Sequence, residues 1–487
     1  MSKHLHRVRS GLLNAACALY WGVLGCSSDG PVREVPRHEG TLGAEAAQLL
    51  AGSIRIPTVN PPGDERPLAA YFAGALRGAG LEAKVIDTPA GPGPAGAAQR
   101  GRALVWGLLR GRGERPPLVL LSHLDVVPAE SPAWSVDPFA GIQRDGFVLG
   151  RGAQDAKGVS VVHLVALAEL ARRGQPLRRD IVFLGTPDEE AGGVAGAGWV
   201  ARERPDLLRG ARNLITEGGG VLVKGDDQPS LWSVGVTEKS PCWLRLSARG
   251  TPGHGAAPLR DAAAPKLVAA LSKLDQLELP VRVLPAVEDM FAAMAPAAAE
   301  DADAFRDLSA RLREDTAFRE RFLAEPGYDA LVRNTLAITV LEGSSRTNVV
   351  AGEVRAHLDV RLLPDEVCSK FAERVQHIVG DPEVRVEILL TFPSNRSPTD
   401  TPLFRTLERI AARHDPRAIV VPRMSIGFTD AHWFRDLGIV SYGFTPRWHR
   451  AGEERGIHGP NERISVRNLE RGVTTMIEII LDFDATD

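Results

Sequence analysis

Apolar residues between positions 42 and 54 fall at Leu42, Ala46, Leu49, Leu50 and Ile54, the three-and-four spacing of an amphipathic helix. Residues 71–81 carry a similar signature and close beside Gly80, a helix stop. The apolar runs 103–109, 118–122 and 181–185 have the length of strands buried on both faces. Between the last two, residues 157–173 read as a strongly apolar helix. Alternating strands and helices predict an α/β domain, a mostly parallel mixed sheet flanked by helices. A turn at Gly225-Asp226-Asp227 separates two more β-rich stretches, 221–224 and 231–236, and the Gly/Pro/Ala-rich run 88–101 reads as a loop.

Past Lys239 the pattern changes. Residues 242–248 alternate like a half-exposed strand, 261–277 form an amphipathic helix, and 336–341 and 354–361 are strands again. Two helices against an antiparallel sheet predict a separate α+β domain, interrupted by an Ala-rich, charged, helix-prone insert at 281–333. From about Pro398, helix and strand patterns resume. The predicted organisation is one domain built from 41–237 and 398–487, with 238–397 inserted as a second. A chain of 487 residues is long enough for both.

Composition adds little to this picture, with 44% hydrophobic and 24% charged residues. A net charge of -3 supplies no field for nucleic acid and no reason to expect a polyanionic partner. The N-terminus is more informative. Lys3, Arg7 and Arg9 precede an apolar run, 11–25, too short to span a bilayer as a helix. The run ends in Val23-Leu24-Gly25-Cys26 and resembles a bacterial lipobox, which implies lipidation at Cys26. The expectation is a signal peptide over 1–26, a tether over 27–40, and a periplasmic lipoprotein anchored in the outer membrane. The membrane would be met only through that anchor; a plain secretory signal is the alternative. Cys242 and Cys368 remain in the mature body, 126 positions apart, and are expected as two buried thiols, with a disulfide as the other outcome.

Candidate chemistry gathers where predicted strands end. Ser122-His123-Leu124-Asp125 follows one apolar strand and Thr186-Pro187-Asp188-Glu189-Glu190 another. Gly150–Gly158, containing Asp155, is a Gly-rich loop that opens the apolar helix. Glu217-Gly218-Gly219-Gly220 follows a further strand, and His458-Gly459-Pro460-Asn461-Glu462 lies near the end. A single histidine or glutamate at a strand end is more often a solvated loop residue. Together these clusters bring several carboxylates and two imidazoles to one sheet edge, the usual ligand-binding edge of an α/β sheet. Like charges so placed repel unless cations intervene, and two Zn²⁺ ions would supply a charge of about +4.

On these five motifs, in this order over about residues 41–480, the chain resembles the di-zinc peptidase family of the ArgE and DapE deacylases, aminoacylase and carboxypeptidase S. It is most similar to the subgroup of carboxypeptidase S and the N-fatty-acyl amino acid synthase/hydrolases, which share the long insert and the ending Ile457–Glu462. The resemblance implies two zinc ions, with cobalt or manganese as substitutes. Asp155 would bridge them, His123 and Glu217 completing one and Glu190 and His458 the other. It implies Asp125 as the carboxylate orienting His123 and Glu189 as general base. From the inserted domain, a lid that can also form a homodimer, it implies His254 and Asn348 as oxyanion or substrate contacts and Arg361 as the grip on a substrate carboxylate. Bland readings stand beside these: a loop histidine for His254, a turn residue for Asn348, a strand-end ion pair for Arg361. Phe428 departs from the small residue common in its loop, and Glu217 from the aspartate frequent at that ligand. His432 and His449 are expected to be structural or to rim the pocket.

The implied reaction is hydrolysis of an amide bond in an N-acyl amino acid or a peptide with a free carboxylate. An aminopeptidase or dipeptidase on the same metals is the alternative, and a non-catalytic binding lipoprotein a further one. Met290, Phe291 and Met294 in the insert offer either an apolar surface for an acyl chain or the insert's own packing.

Overall fold

The computed structural model describes residues 42–90, 101–174, 176–223, 230–257, 259–449 and 456–486. Cys26, the expected signal peptide and tether, and the turn expected at 225–227 lie outside the described residues. Two compact units emerge. The first takes in the chain up to Val234 with Pro398–Val421 and Leu437–Asp487; the second comprises Gly235–Ser397 and Pro422–Asp436. The stretch 422–436, read from sequence as part of the returning first domain, belongs to the second unit. Buried side chains tie it there: Thr429 Oγ1 and Arg435 Nη1 donate to the Glu238 carboxylate at 3.1 and 3.0 Å, and His432 stacks on Phe392. Such ties leave no periodic signal.

In the first unit, Arg179–Thr186, Arg115–His123, Asn213–Thr216 and Val440–Gly443 lie side by side and parallel. Ala103–Leu109 and Glu82–Asp87 extend the sheet antiparallel on one side. Every residue of Ala103–Leu109 and of Arg179–Thr186 is buried. Burial on both faces explains why these runs are apolar without alternation. Helix Lys157–Arg172 buries 13 of its 16 residues, so it has no polar face. It packs against Leu42–Ile54 and Val466–Thr486, the last burying Leu469, Val473, Met476, Ile480 and Phe483 at three-and-four spacing. The helix predicted over 71–81 instead runs Arg66–Gly78. Pro67 explains the early start, because its missing N–H costs nothing in a first turn.

The second unit is built on a four-stranded antiparallel sheet in the order Thr335–Glu342, Glu353–Leu362, Ser240–Arg249, Val384–Thr391. Leu244, Leu246, Ala356, Leu358 and Val360 face one way, into a core shared with helices Ala263–Asp275 and Cys368–Val379. The insert is helical from Pro285–Met294 to Pro326–Leu331. Phe291 sits at its centre, with Phe305, Phe322 and Tyr328 rings 4.8, 5.2 and 5.0 Å away. Met290, Phe291 and Met294 are all buried, so they are the insert's own packing rather than an open acyl surface. Among the described residues, no helix is long and apolar enough to cross a membrane.

Cys242 and Cys368 form a disulfide, which corrects the expectation of two free thiols. Strand residue 242 and the first residue of helix Cys368–Val379 face each other in the core, Cα atoms 5.3 Å apart. A sequence separation of 126 carries no hint of that proximity. Closing so long a loop restricts the unfolded chain and should stabilise the fold by roughly 2–4 kcal/mol. Replacing both residues with serine is expected to lower the unfolding free energy by that amount in denaturant titration. Alkylation of either thiol in unfolded, unreduced protein would contradict the bond.

Candidate active site

The parallel strands of the first unit deliver their C-terminal ends to one edge. Register pairs His123 with Thr186, so the loop carrying Glu189 and Glu190 starts beside His123. Glu217 follows Asn213–Thr216 on the other flank. The chain turns sharply after it, with Gly218 at φ 104°. At Gly219 a Cβ would lie 2.2 Å from Ser233 O and 2.3 Å from Gly443 O, so only glycine fits between these strands. Asp155 stands in the loop before helix Lys157–Arg172, and His458 in the loop before strand Arg463–Ser465.

Those two loops meet because Arg463–Ser465 pairs antiparallel with Phe147–Leu149. Glu462, fully buried, then organises them. One of its oxygens accepts from Gln154 N (2.7 Å) and Asp155 N (3.1 Å), the other from Gly152 N (2.9 Å) and Arg151 Nη1 (2.7 Å). The result is a fixed position for Asp155. Its Oδ1 lies 2.9 Å from His123 Nε2 and its Oδ2 lies 3.1 Å from His458 Nε2. Glu217 Oε1 is 3.4 Å from His123 Nε2, Glu190 Oε2 is 3.3 Å from His458 Nε2, and Glu189 Oε2 is 4.0 Å from His123 Nε2.

Asp125 occupies the far side of His123 in a way the sequence did not suggest. The nearer partner of His123 Nδ1 is the Asp125 backbone carbonyl at 2.9 Å, with the carboxylate at 3.5 Å. That carboxylate accepts instead from Glu189 N and Glu190 N, both at 3.1 Å, and from Asn60 Nδ2 at 2.8 Å. Asn60 is braced in turn by Arg102 Nη2 at 2.8 Å, and Arg102 Nη1 reaches Asp188 at 2.9 Å and Glu65 at 3.3 Å. Burial and the charge of Asp125 push the Glu65 carboxyl up to about 8, against the pull of Arg102. Asn60, Glu65, Arg102 and Asp188 escaped the sequence reading. Only Asp188 stood in a noticed motif, and no local pattern marks a buried arginine at position 102.

Electrostatics at the cluster favour added positive charge. Burial opposes charge on His123, but Glu217, Asp125 and Asp155 outweigh it and hold its pKa well above the usual imidazole value. Hydrogen bonds to Asp155 and Glu190 lift His458 to about 11. Burial, then the charge of Asp155, raises Glu190 to about 7. Asp155 is held well below the carboxylate range, because its two histidine partners overcome burial. Glu190 Oε1 is buried and hydrogen-bonds nothing, an unmet acceptor on a side chain that also feels the charge of Asp155. Ligand atoms of His123, Asp155 and Glu190 lie within 4.8 Å of one another, as do those of His123, Glu189 and Glu217. Imidazole and carboxylate donors without thiolate fit catalytic divalent metal ions. The second of these groups sets Glu189 beside His123 and Glu217.

Three candidates lie in the second unit. The exposed ribbon Gly253–His254 pairs with Val349–Val350, and Gly255 N donates to Asn348 O at 2.8 Å, so His254 and Asn348 are neighbours. His254 Nδ1 accepts from Ala256 N at 3.0 Å. Arg361 makes a two-pronged pair with Asp359, at 2.7 and 3.1 Å. His432 is fully buried in its stack on Phe392, hence structural.

The profile of peptidase family M20/M25/M40 matches residues 119–482, a span that includes the whole cluster from His123 to His458. Mouse N-fatty-acyl-amino acid synthase/hydrolase PM20D1 is 30% identical over 390 residues, 76% of this chain and 74% of that protein. Pig aminoacylase-1 is 27% identical over 443 residues, 89% and 93% of the two chains. The crystal structure of human carnosine dipeptidase 1 shares the fold, with a TM-score of 0.68 at 18% identity over 91% of this chain and 96% of that one. The chain belongs to peptidase family M20/M25/M40 and is a hydrolase acting on amide bonds.

Proposed function

We propose that this hydrolase uses two zinc ions to cleave the amide bond of N-acyl amino acids, or of peptides, next to a free carboxylate. The observation that carries the reading is Asp155, one oxygen turned to each of two imidazoles, His123 and His458. A carboxylate so shared is the arrangement that bridges paired ions. Glu217 would join His123 on one side and Glu190 would join His458 on the other. The names of the similar proteins, a synthase/hydrolase of N-fatty-acyl amino acids and an aminoacylase, support an acylated amino acid as substrate.

Bound zinc would polarise the scissile carbonyl and make water a stronger acid. Glu189, its backbone fixed by Asp125, takes a proton from the attacking water and passes it to the leaving nitrogen. His254 accepts a backbone N–H at Nδ1, so its proton sits on Nε2, where it can donate to a developing oxyanion. Arg361 offers a planar fork for the substrate carboxylate. We further propose export from the cytoplasm with a lipid anchor at Cys26; the Cys242–Cys368 disulfide supports an oxidising compartment.

Two experiments test the reading. Glu189→Gln should keep two metal ions per chain by elemental analysis while kcat falls about 100- to 10,000-fold; loss of metal would make Glu189 a ligand instead. Assayed on N-acetyl amino acids against the matching free dipeptides, the zinc-loaded enzyme should favour the acylated set. A preference for dipeptides with a free α-amine would establish the aminopeptidase or dipeptidase alternative.

A further inference from the structure

Strand Glu353–Leu362 alternates strictly between buried and half-buried residues, which puts Asp359 and Arg361 on the face opposite the second unit's core. Trp243, on the neighbouring strand, shares that face. Asp359 Oδ1 accepts from both Arg361 Nε (2.7 Å) and Trp243 Nε1 (3.0 Å). The Arg361 guanidinium carbon lies 5.0 Å from the Phe428 ring centre and 5.7 Å from that of Trp243. Phe428 is itself set edge-on against the buried Phe392, centroids 5.2 Å apart. Arg361 Nη1 is buried and has no hydrogen-bond partner.

A surface ion pair needs none of this, since water satisfies the spare N–H groups of an exposed arginine. Here Asp359 holds the Nε edge, and two aromatic rings, their centres 6.0 Å apart, lie next to each other beside the guanidinium. The edge formed by Nη1 and Nη2 keeps donors for a second acceptor, in the planar fork that matches a carboxylate.

We propose that Trp243 and Phe428 turn this arginine into a subsite that selects the amino acid. The substrate carboxylate takes the free edge of Arg361, and the side chain on the adjacent carbon packs against the two rings. N-acyl amino acids with aromatic or large aliphatic side chains are then preferred over small or charged ones, which leave the rings wet or lose their own hydration against them. The inference rests on the reading of Arg361 as the carboxylate grip. Phe428 and Trp243, with ring centres 6.0 Å apart, together form the apolar face beside Arg361.

The test compares N-acetyl-L-phenylalanine with N-acetyl-L-alanine. For the metal-loaded enzyme the ratio of kcat/KM should be about 10-fold or more, the discrimination a hydrophobic pocket supplies. Phe428→Ala should bring the ratio close to one, with Phe428→Leu, which keeps more core volume, in between. An unchanged ratio in either folded variant overturns the proposal. Calorimetric titration of both compounds into metal-loaded Glu189→Gln protein reads the preference without turnover. Hydrolysis of both at equal efficiency sinks the subsite and leaves the amide-hydrolase reading standing. Preferential binding of the phenylalanine compound with no hydrolysis of either by the wild type does the reverse.

Discussion

Everything at the first unit's sheet edge depends on one constraint: several carboxylates are packed where water cannot disperse their repulsion. Asp155, Glu189, Glu190 and Glu217 crowd around two imidazoles. Protons alone meet that demand poorly. The histidines are drawn upward and Glu190 is pushed to about 7 by burial and by Asp155. Such a site stores affinity for compact positive charge, and the surrounding protein has to supply the rigidity that keeps the anions from drifting apart.

That rigidity comes from two further buried carboxylates. Glu462 gathers three backbone amides and Arg151, clamping the 151–155 loop. Asp125 gathers the amides of Glu189 and Glu190, clamping the second loop to His123. Each converts a flexible loop into a fixed one by satisfying backbone donors that would otherwise need water. Burying an anion is costly unless it is paired and hydrogen-bonded, and the arginines meet that condition: Arg151 beside Glu462, Arg102 reaching Asp125 through Asn60.

The layout of the fold was legible because its strands are buried on both faces and therefore apolar without interruption, as at 103–109 and 179–186. The cluster was legible because short acidic and histidine motifs follow those strands directly. What escaped was everything decided by contacts distant in sequence. Cys242 and Cys368 pair across a core that no local pattern reveals. Residues 422–436 carry ordinary helix and strand signals, yet Glu238 and Phe392 hold them in the second unit. The helix start at Arg66 was missed although Pro67 announces it, a misreading of a signal that was present.

The buried arginines show one kind of role that a sequence conceals. Arg102, Arg151 and Arg435 pair with the buried carboxyl groups of Asp188, Glu462 and Glu238, and in sequence each looks like a surface cation. Replacing such a pair with apolar residues is often neutral for stability, while removing one partner strands a buried charge at a cost of about 3–5 kcal/mol. These pairs therefore do little to favour folding over unfolding. Their consequence lies in geometry, since a paired carboxylate with four directed acceptor positions can hold backbone N–H groups that no hydrophobic side chain could hold. The position of Asp155 between its two histidines is thus an effect of ionic pairs one layer further in, and the chemistry at the sheet edge inherits its precision from them.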